Sequence, residues 1–388
     1  MKQETISFLS TCEQDIKELC TYLYENPEIS YNEYKSSKYI CNLLEKYNFN
    51  IEKNILGIEN SFIAQKGNGH PKICYLCEYD AIEDYGHITG HNMVTSISVE
   101  AAIGLGNLID KGNLNGSVII IGCPGEYLGG TKSTMVKQEI FDDIDVVMVA
   151  HPDTSTCESG SSSAIIPVGV KFFGTNGLSF LNKNTYNSLD AALLSFNILN
   201  SLKKGFPENL DINSVISNGG YTPLLLPSEA EIKFYIRAGN TKLAEYGDST
   251  IRKIILTVCD LTGISSKFFL YECPNKELIT NRTLNRLFSH NLKEHGIINI
   301  NPPKDIYAGL SLGDVSHKVP CIHPYISIIE NNSSIKYGSK EFAKATISEF
   351  GLSQCHIAAK ALCSTAIDLM ENEKLLNEIK IEFYNAIK

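Results

Sequence analysis

Several residues that follow apolar runs are of the types that bind metal ions or move protons. Glu78 and Asp80 follow one run, Glu126 and Tyr127 a second, and His151 a third. His87, His91 and Asn92 lie in the loop Gly86-His87-Ile88-Thr89-Gly90-His91-Asn92. A neutral imidazole is a good zinc ligand. A carboxylate at the end of an apolar strand is costly to bury without purpose, which favours a functional role for Glu126. Each residue also has a structural reading. Asp80 can cap and hydrogen-bond the loop. His91 and Asn92 can serve the turn at Gly90 and the helix that follows it. His317 and His323 read as structural histidines.

The elements that must position these groups are legible in the hydrophobic periodicity. Leu9, Cys12, Ile16, Leu19 and Leu23 recur at helical spacing, and Asn26-Pro27 ends that helix. A second helix spans about 34–47. Strands are predicted over 73–77, 117–123 and 145–150, with a helix from about Thr95 to Leu108. Short apolar strands alternating with helices imply an α/β sheet covered on both faces, and such sheets place ligands at the carboxyl ends of their strands. From about 165 the pattern becomes βαββαβ, the order of a ferredoxin-like module. In that module a strand over 229–237 turns Ile232, Phe234 and Ile236 one way and Lys233, Tyr235 and Arg237 the other. The predicted division is an α/β domain over 1–164 and 274–388, interrupted by the module over 165–273. The chain is expected to finish with helices over 341–370 and 373–386.

Composition narrows the classes. The 388 residues, 43% of them hydrophobic, supply material for a sizeable core, and the net charge of -10 comes with no basic cluster. Nucleic acid is therefore an unexpected partner. No run reaches the length of a membrane span. The twelve cysteines sit mostly in apolar runs, as buried thiols of a reducing cytoplasm would. Cys74 and Cys77 form a poor chelate, because residues three apart on a strand face opposite ways. Cys123, close to Glu126, reads as a strand-core thiol. A soluble, cytoplasmic protein is expected.

Taken in order, EYDA, GHxxGHN, PGE, AHP, GDVSH and IHPY resemble the M20 metallopeptidase family, closest to its amidohydrolase and N-acyl-amino-acid or dipeptide-cleaving branch. The resemblance covers nearly the whole chain. It implies a two-domain α/β subunit with an inserted lid, a homodimer through that lid, and two zinc or manganese ions bridged by a water that a glutamate activates. On this resemblance Glu126 matches the base, and His91 and His151 match metal ligands. Asp80 matches the carboxylate supporting the site from behind, His87 and Asn92 match flanking loop residues, and Arg237 matches a clamp for a substrate carboxylate.

Three ligand positions depart from the family pattern. Thr89 stands at the bridging cysteine, Tyr127 at the glutamate after the base, and Gly338 at the last histidine. A neutral hydroxyl and a phenol with a pKa near 10 do not offset dication charge. In the lid, Leu178 stands at the histidine that reaches the oxyanion, and the segment Tyr221-Thr222-Pro223-Leu224 has leucine at the family asparagine. The expectation is at most one weakly held zinc or manganese ion, on His91 and His151. Tyr127 either fills the metal cavity or donates a proton in a new reaction, and it is a candidate substrate contact together with Asn92 and Arg237. Three readings stand: an amide hydrolase working through Glu126, a metal-independent acyl-transfer or amide-forming enzyme, and an inactive relative that binds a small ligand or a partner protein.

Overall fold

Residues 1–182, 184–330 and 334–388 are described by the structure, a computed structural model. They form two units. One comprises Met1–Ser161, Leu278–Asp305 and Asp314–Lys388, the other Ser162–Glu277 and Ile306–Gly313.

The first unit is built on a six-stranded sheet, in the order Asn50–Lys53, Phe62–Asn68, Gly116–Gly122, Lys72–Cys77, Val146–Met148, Cys321–Ile322. The last four run parallel. The first two form an antiparallel hairpin on one edge, which the periodicity did not flag. Cys74 and Cys77 are both wholly buried, as a sheet covered on both faces requires.

Helix His91–Asp110 is buried almost throughout and packs against helices Lys2–Glu25 and Glu349–Glu371. It begins earlier than the Thr95 expected, because Gly90 turns the chain into it. Gly90 has φ +87°, and a Cβ there would meet Pro152 Cγ at 2.4 Å. Only glycine fits both demands. The polar residues of this helix bond to the sheet: Ser98 Oγ donates to Leu76 O (2.6 Å) and Thr95 Oγ1 to Glu78 O (2.5 Å).

The single helix expected over 341–370 is two, Lys340–Ala345 and Glu349–Glu371. Ser348 caps the second by accepting from Gly351 N at 3.0 Å. Gly351 also lies against Ala345 O, where a Cβ would stand at 2.0 Å, so the break is a close-packed turn. A second sheet orders Asn301–Ile306, Cys157–Ser162, Tyr325–Ser327 and His151–Asp153.

The second unit carries strands Ala164–Phe173, Leu210–Asn218, Glu229–Ala238 and Ser265–Leu270, with helices Ser188–Leu202 and Thr241–Thr262. Numbered along the chain, the antiparallel strand order is 2-3-1-4, the ferredoxin-like arrangement. Ile232, Phe234 and Ile236 are buried, while Lys233, Tyr235 and Arg237 alternate with them on the half-exposed face. Segment Ile306–Gly313, expected in the α/β part, joins this unit. Ala308 O accepts from Ser163 N (3.0 Å), and Gly309 packs on Ile165. Among the described residues, no helix is long and apolar enough to cross a membrane.

Candidate active site

The parallel strands deliver their chemistry at their carboxyl ends. Lys72–Cys77 leads directly into Glu78 and Asp80. Gly116–Gly122 leads through Cys123 and Pro124 to Gly125, whose φ of +79° starts the short turn Glu126–Leu128. A Cβ at Gly125 would fall 2.4 Å from the Tyr31 ring. The Gly90 turn, packed on Pro152, places His91 near His151, their rings 6.0 Å apart.

A residue that the sequence reading did not single out lies between the two carboxylates. Lys132, wholly buried at the start of helix Lys132–Lys137, donates to Glu78 Oε1 at 2.6 Å and Glu126 Oε2 at 2.7 Å. Burial alone would lower its pKa, but Glu126 and Glu78 outweigh that and push it up, so the ammonium stays charged. Burial would raise Glu78, yet Lys132, His91 and His323 bring it down to about 2.

The histidines are set differently. His91 Nδ1 bonds Asp80 Oδ1 at 2.8 Å, and its Nε2 faces Glu78 Oε2 at 3.7 Å. Burial works against its charged form, but Asp80, Glu78 and Glu126 raise its pKa. His151 Nδ1 bonds Pro152 O at 2.8 Å, and burial followed by the charge of His91 lowers its pKa to about 4. His323 stacks near it, centroids 5.3 Å apart, and burial lowers its pKa to about 3. Asp80 also accepts from Ser30 Oγ (2.7 Å) and Tyr127 N (3.0 Å).

Thr89 and Tyr127 hydrogen-bond each other through their hydroxyls, and the Tyr127 ring stacks on His91 at 4.5 Å. The phenol thus lies within the site, with its pKa raised by burial. Cys123 is buried, and its thiol is pushed up to about 12, chiefly by burial, which excludes a ready nucleophile.

Other expected contacts lie elsewhere. Asn92, read as a substrate contact, is wholly buried, and its amide donates to Thr346 Oγ1 (2.8 Å) and Cys20 O (3.3 Å). Its role there is to tie helices together, since no face of it is open to a ligand. His87 is buried, and burial lowers its pKa to about 3. It borders a cavity of about 600 Å³ lined also by Ile29, Asp84, Tyr85 and Lys340. Arg237 belongs to the second unit, where its guanidinium bonds Asn213 Oδ1 (3.2 Å) and lies over the Tyr235 ring.

These residues do not fit two metal ions. The hydroxyls of Thr89 and Tyr127 are joined to each other, and two carboxylates are bridged by an ammonium. A single ion has a better donor set. One ligand atom each from Glu78, His91 and His151 lies within 4.8 Å of the others, a His2Glu set of the catalytic-zinc type. A divalent ion bound there would polarise a carbonyl or activate water.

No family-level sequence model matches the chain. It is similar to the Xaa-Arg dipeptidase of Mus musculus, 29% identical over 322 residues, covering 80% of this chain and 73% of that protein. It is also 29% identical over 245 residues to one of the polypeptides of p-aminobenzoyl-glutamate hydrolase from Escherichia coli K12, covering 58% of this chain and 51% of that one. A solved dinuclear metal-binding peptidase of the M20 family from Bacillus subtilis shares the fold. Its TM-score is 0.66 at 15% identity, over 92% of this chain and 99% of that one. Fold, strand-end chemistry and relatives together define an amidohydrolase-type protein. The chain resembles M20-type amide hydrolases in sequence and fold.

Proposed function

We propose that this protein cleaves the amide bond of a small N-acyl-amino-acid or dipeptide-like substrate without a two-metal centre, using Glu126 as general base. The substrate class is drawn from the dipeptidase and the aminobenzoyl-glutamate hydrolase to which the chain is similar. The observation that carries the mechanism is Glu126 itself, held by a glycine-dependent turn at a strand end and anchored through Oε2 by buried Lys132. Such an anchor fixes the direction in which the carboxylate can act. Glu126 takes a proton from the attacking water as its oxygen bonds the carbonyl carbon, then returns it to the leaving nitrogen as the C–N bond breaks. The reading includes a homodimer formed through the second unit, whose helix Ser188–Leu202 exposes Leu193, Leu194, Ile198 and Leu202. It also places the protein in a reducing cytoplasm, in keeping with its free cysteines.

Turnover of Xaa-Arg dipeptides and p-aminobenzoyl-glutamate by purified protein tests this. Glu126→Gln is expected to reduce kcat by about 10²–10⁴-fold with unchanged circular dichroism. Absence of turnover on every substrate, with ligand binding intact, would favour the inactive relative and overturn the proposal.

A further inference from the structure

We infer that the cavity of about 600 Å³ bordered by His87 is a ligand site, separate from the candidate active site, for a small organic cation that also carries a carboxylate, as a basic amino acid does. Its walls come from the end of helix Lys2–Glu25, from the loop over 81–87 and from the start of helix Lys340–Ala345. All of these belong to the first unit. Among the described residues that line it, none is Glu78, Glu126, His91 or His151.

His87 is the observation that singles this cavity out. Its side chain is buried, and among the described residues neither Nδ1 nor Nε2 has a hydrogen-bond partner. The Leu23 carbonyl is near the ring but out of hydrogen-bonding geometry. By contrast, His91 Nδ1 bonds Asp80 and His151 Nδ1 bonds Pro152. A buried polar group left unpaired is costly, and a group bound in the adjoining cavity relieves that cost. Burial keeps His87 uncharged, so its ring offers one N–H and one lone pair. A carboxylate accepts from the first, and an ammonium or guanidinium donates to the second.

The rim selects the sign of the guest. Glu25, Glu83 and Asp84 line the cavity with one cation, Lys340. No ion pair or hydrogen bond joins any of these four side chains to another group among the described residues. Three carboxylates to one ammonium favour a net cationic guest, and Lys340 is the counter-charge for its carboxylate. Lys340 Nζ lies 5.9 Å from the centre of the Tyr85 ring, within cation–π range. That ring is 58% exposed, which leaves it open to a guanidinium, a group that stacks on aromatic faces.

Calorimetric titration of the full chain with L-arginine, and with L-glutamate as comparison, tests the inference. Expected is one saturable arginine site per chain, with glutamate weaker by about tenfold or more. Asp84→Asn and Lys340→Gln, both at exposed positions, should each weaken arginine binding about three- to tenfold. His87→Phe keeps the ring but removes both nitrogens, and it should abolish the saturable signal. If that variant folds poorly, the two exposed variants still decide. Arginine should also shift the ring nitrogen resonances of His87 in the unmodified protein. No saturable binding at tens of millimolar arginine overturns the inference, as does equal binding of glutamate. Unweakened binding in folded Asp84→Asn and Lys340→Gln overturns it too, because the arginine would then sit elsewhere. Turnover enters none of these readouts, so this site and amide cleavage can fail separately.

Discussion

Two buried glutamate environments lie beside the same turn, and they respond to burial in opposite ways. Glu78 shares Lys132 with Glu126, and its pKa is brought down to about 2. Glu33 accepts from Gly125 N at 2.7 Å, but its Oε2 has no hydrogen-bond partner among the described residues. Burial, with Asp80 nearby, raises Glu33 to about 7. The residue type is the same and both side chains are out of solvent. What differs is a counter-charge: desolvation penalises the anion in both places, and only at Glu78 does an ammonium outweigh it. Thr89 and Tyr127 represent a third outcome, in which the charge is absent and two hydroxyls satisfy each other.

The largest expected effect comes from removing that ammonium. Lys132→Met leaves buried Glu78 and partly buried Glu126 without this ammonium and should cost about 3–5 kcal/mol, read from urea unfolding at pH 7. A loss under about 1 kcal/mol would break the comparison, since Lys132 would then not be what makes the carboxylates tolerable.

Glu33→Gln sharpens it from the other side. Because the folded-state pKa of Glu33 is raised above the usual 4.5 to about 7, the folded chain holds this proton more tightly than the unfolded one. The contribution to stability is fully present below pH 4.5 and is lost as pH rises through 7. At about 1.4 kcal/mol per unit, the loss reaches roughly 3 kcal/mol by pH 8. The glutamine keeps an acceptor for Gly125 N and carries no charge. It should raise the thermal midpoint at pH 8 and leave it nearly unchanged at pH 5; equal effects at both would contradict the assignment.

The smallest effect is expected for Tyr127→Phe. It removes the Thr89 hydrogen bond but keeps the stacking on His91, for a loss of about 1 kcal/mol. A double-mutant cycle with Thr89→Val should return most of that value as coupling. No coupling would mean that the two hydroxyls do not act as a pair.

Much of the scaffold was legible from periodicity. The alternation of Ile232, Phe234 and Ile236 with Lys233, Tyr235 and Arg237 specified a strand with one buried face, and Asn26-Pro27 specified a helix end. The hairpin 50–68 escaped because its edge strand Asn50–Lys53 is short and mostly exposed, and because Gln65 and Lys66 interrupt the apolar residues of Phe62–Asn68. The kink at Ser348 escaped because apolar spacing continues across it. The start at His91 was set by the contact between Gly90 and Pro152, distant in sequence. Asn92 was misplaced because loop position says nothing about which way a side chain turns.

By itself, the sequence determined the element types, the order of the motifs and the arrival of Glu78, Asp80, Glu126 and His151 at strand ends. These follow from local periodicity and from where apolar runs stop. Only the tertiary structure decided which charges meet. Lys132 reaches a carboxylate 54 residues away as well as one 6 residues away, and Glu33 contacts Gly125 across 92. Pairings at such separations leave no mark on local pattern. In a desolvated interior, they decide whether a carboxylate is an anchored anion, a proton-holding acid or a candidate ligand.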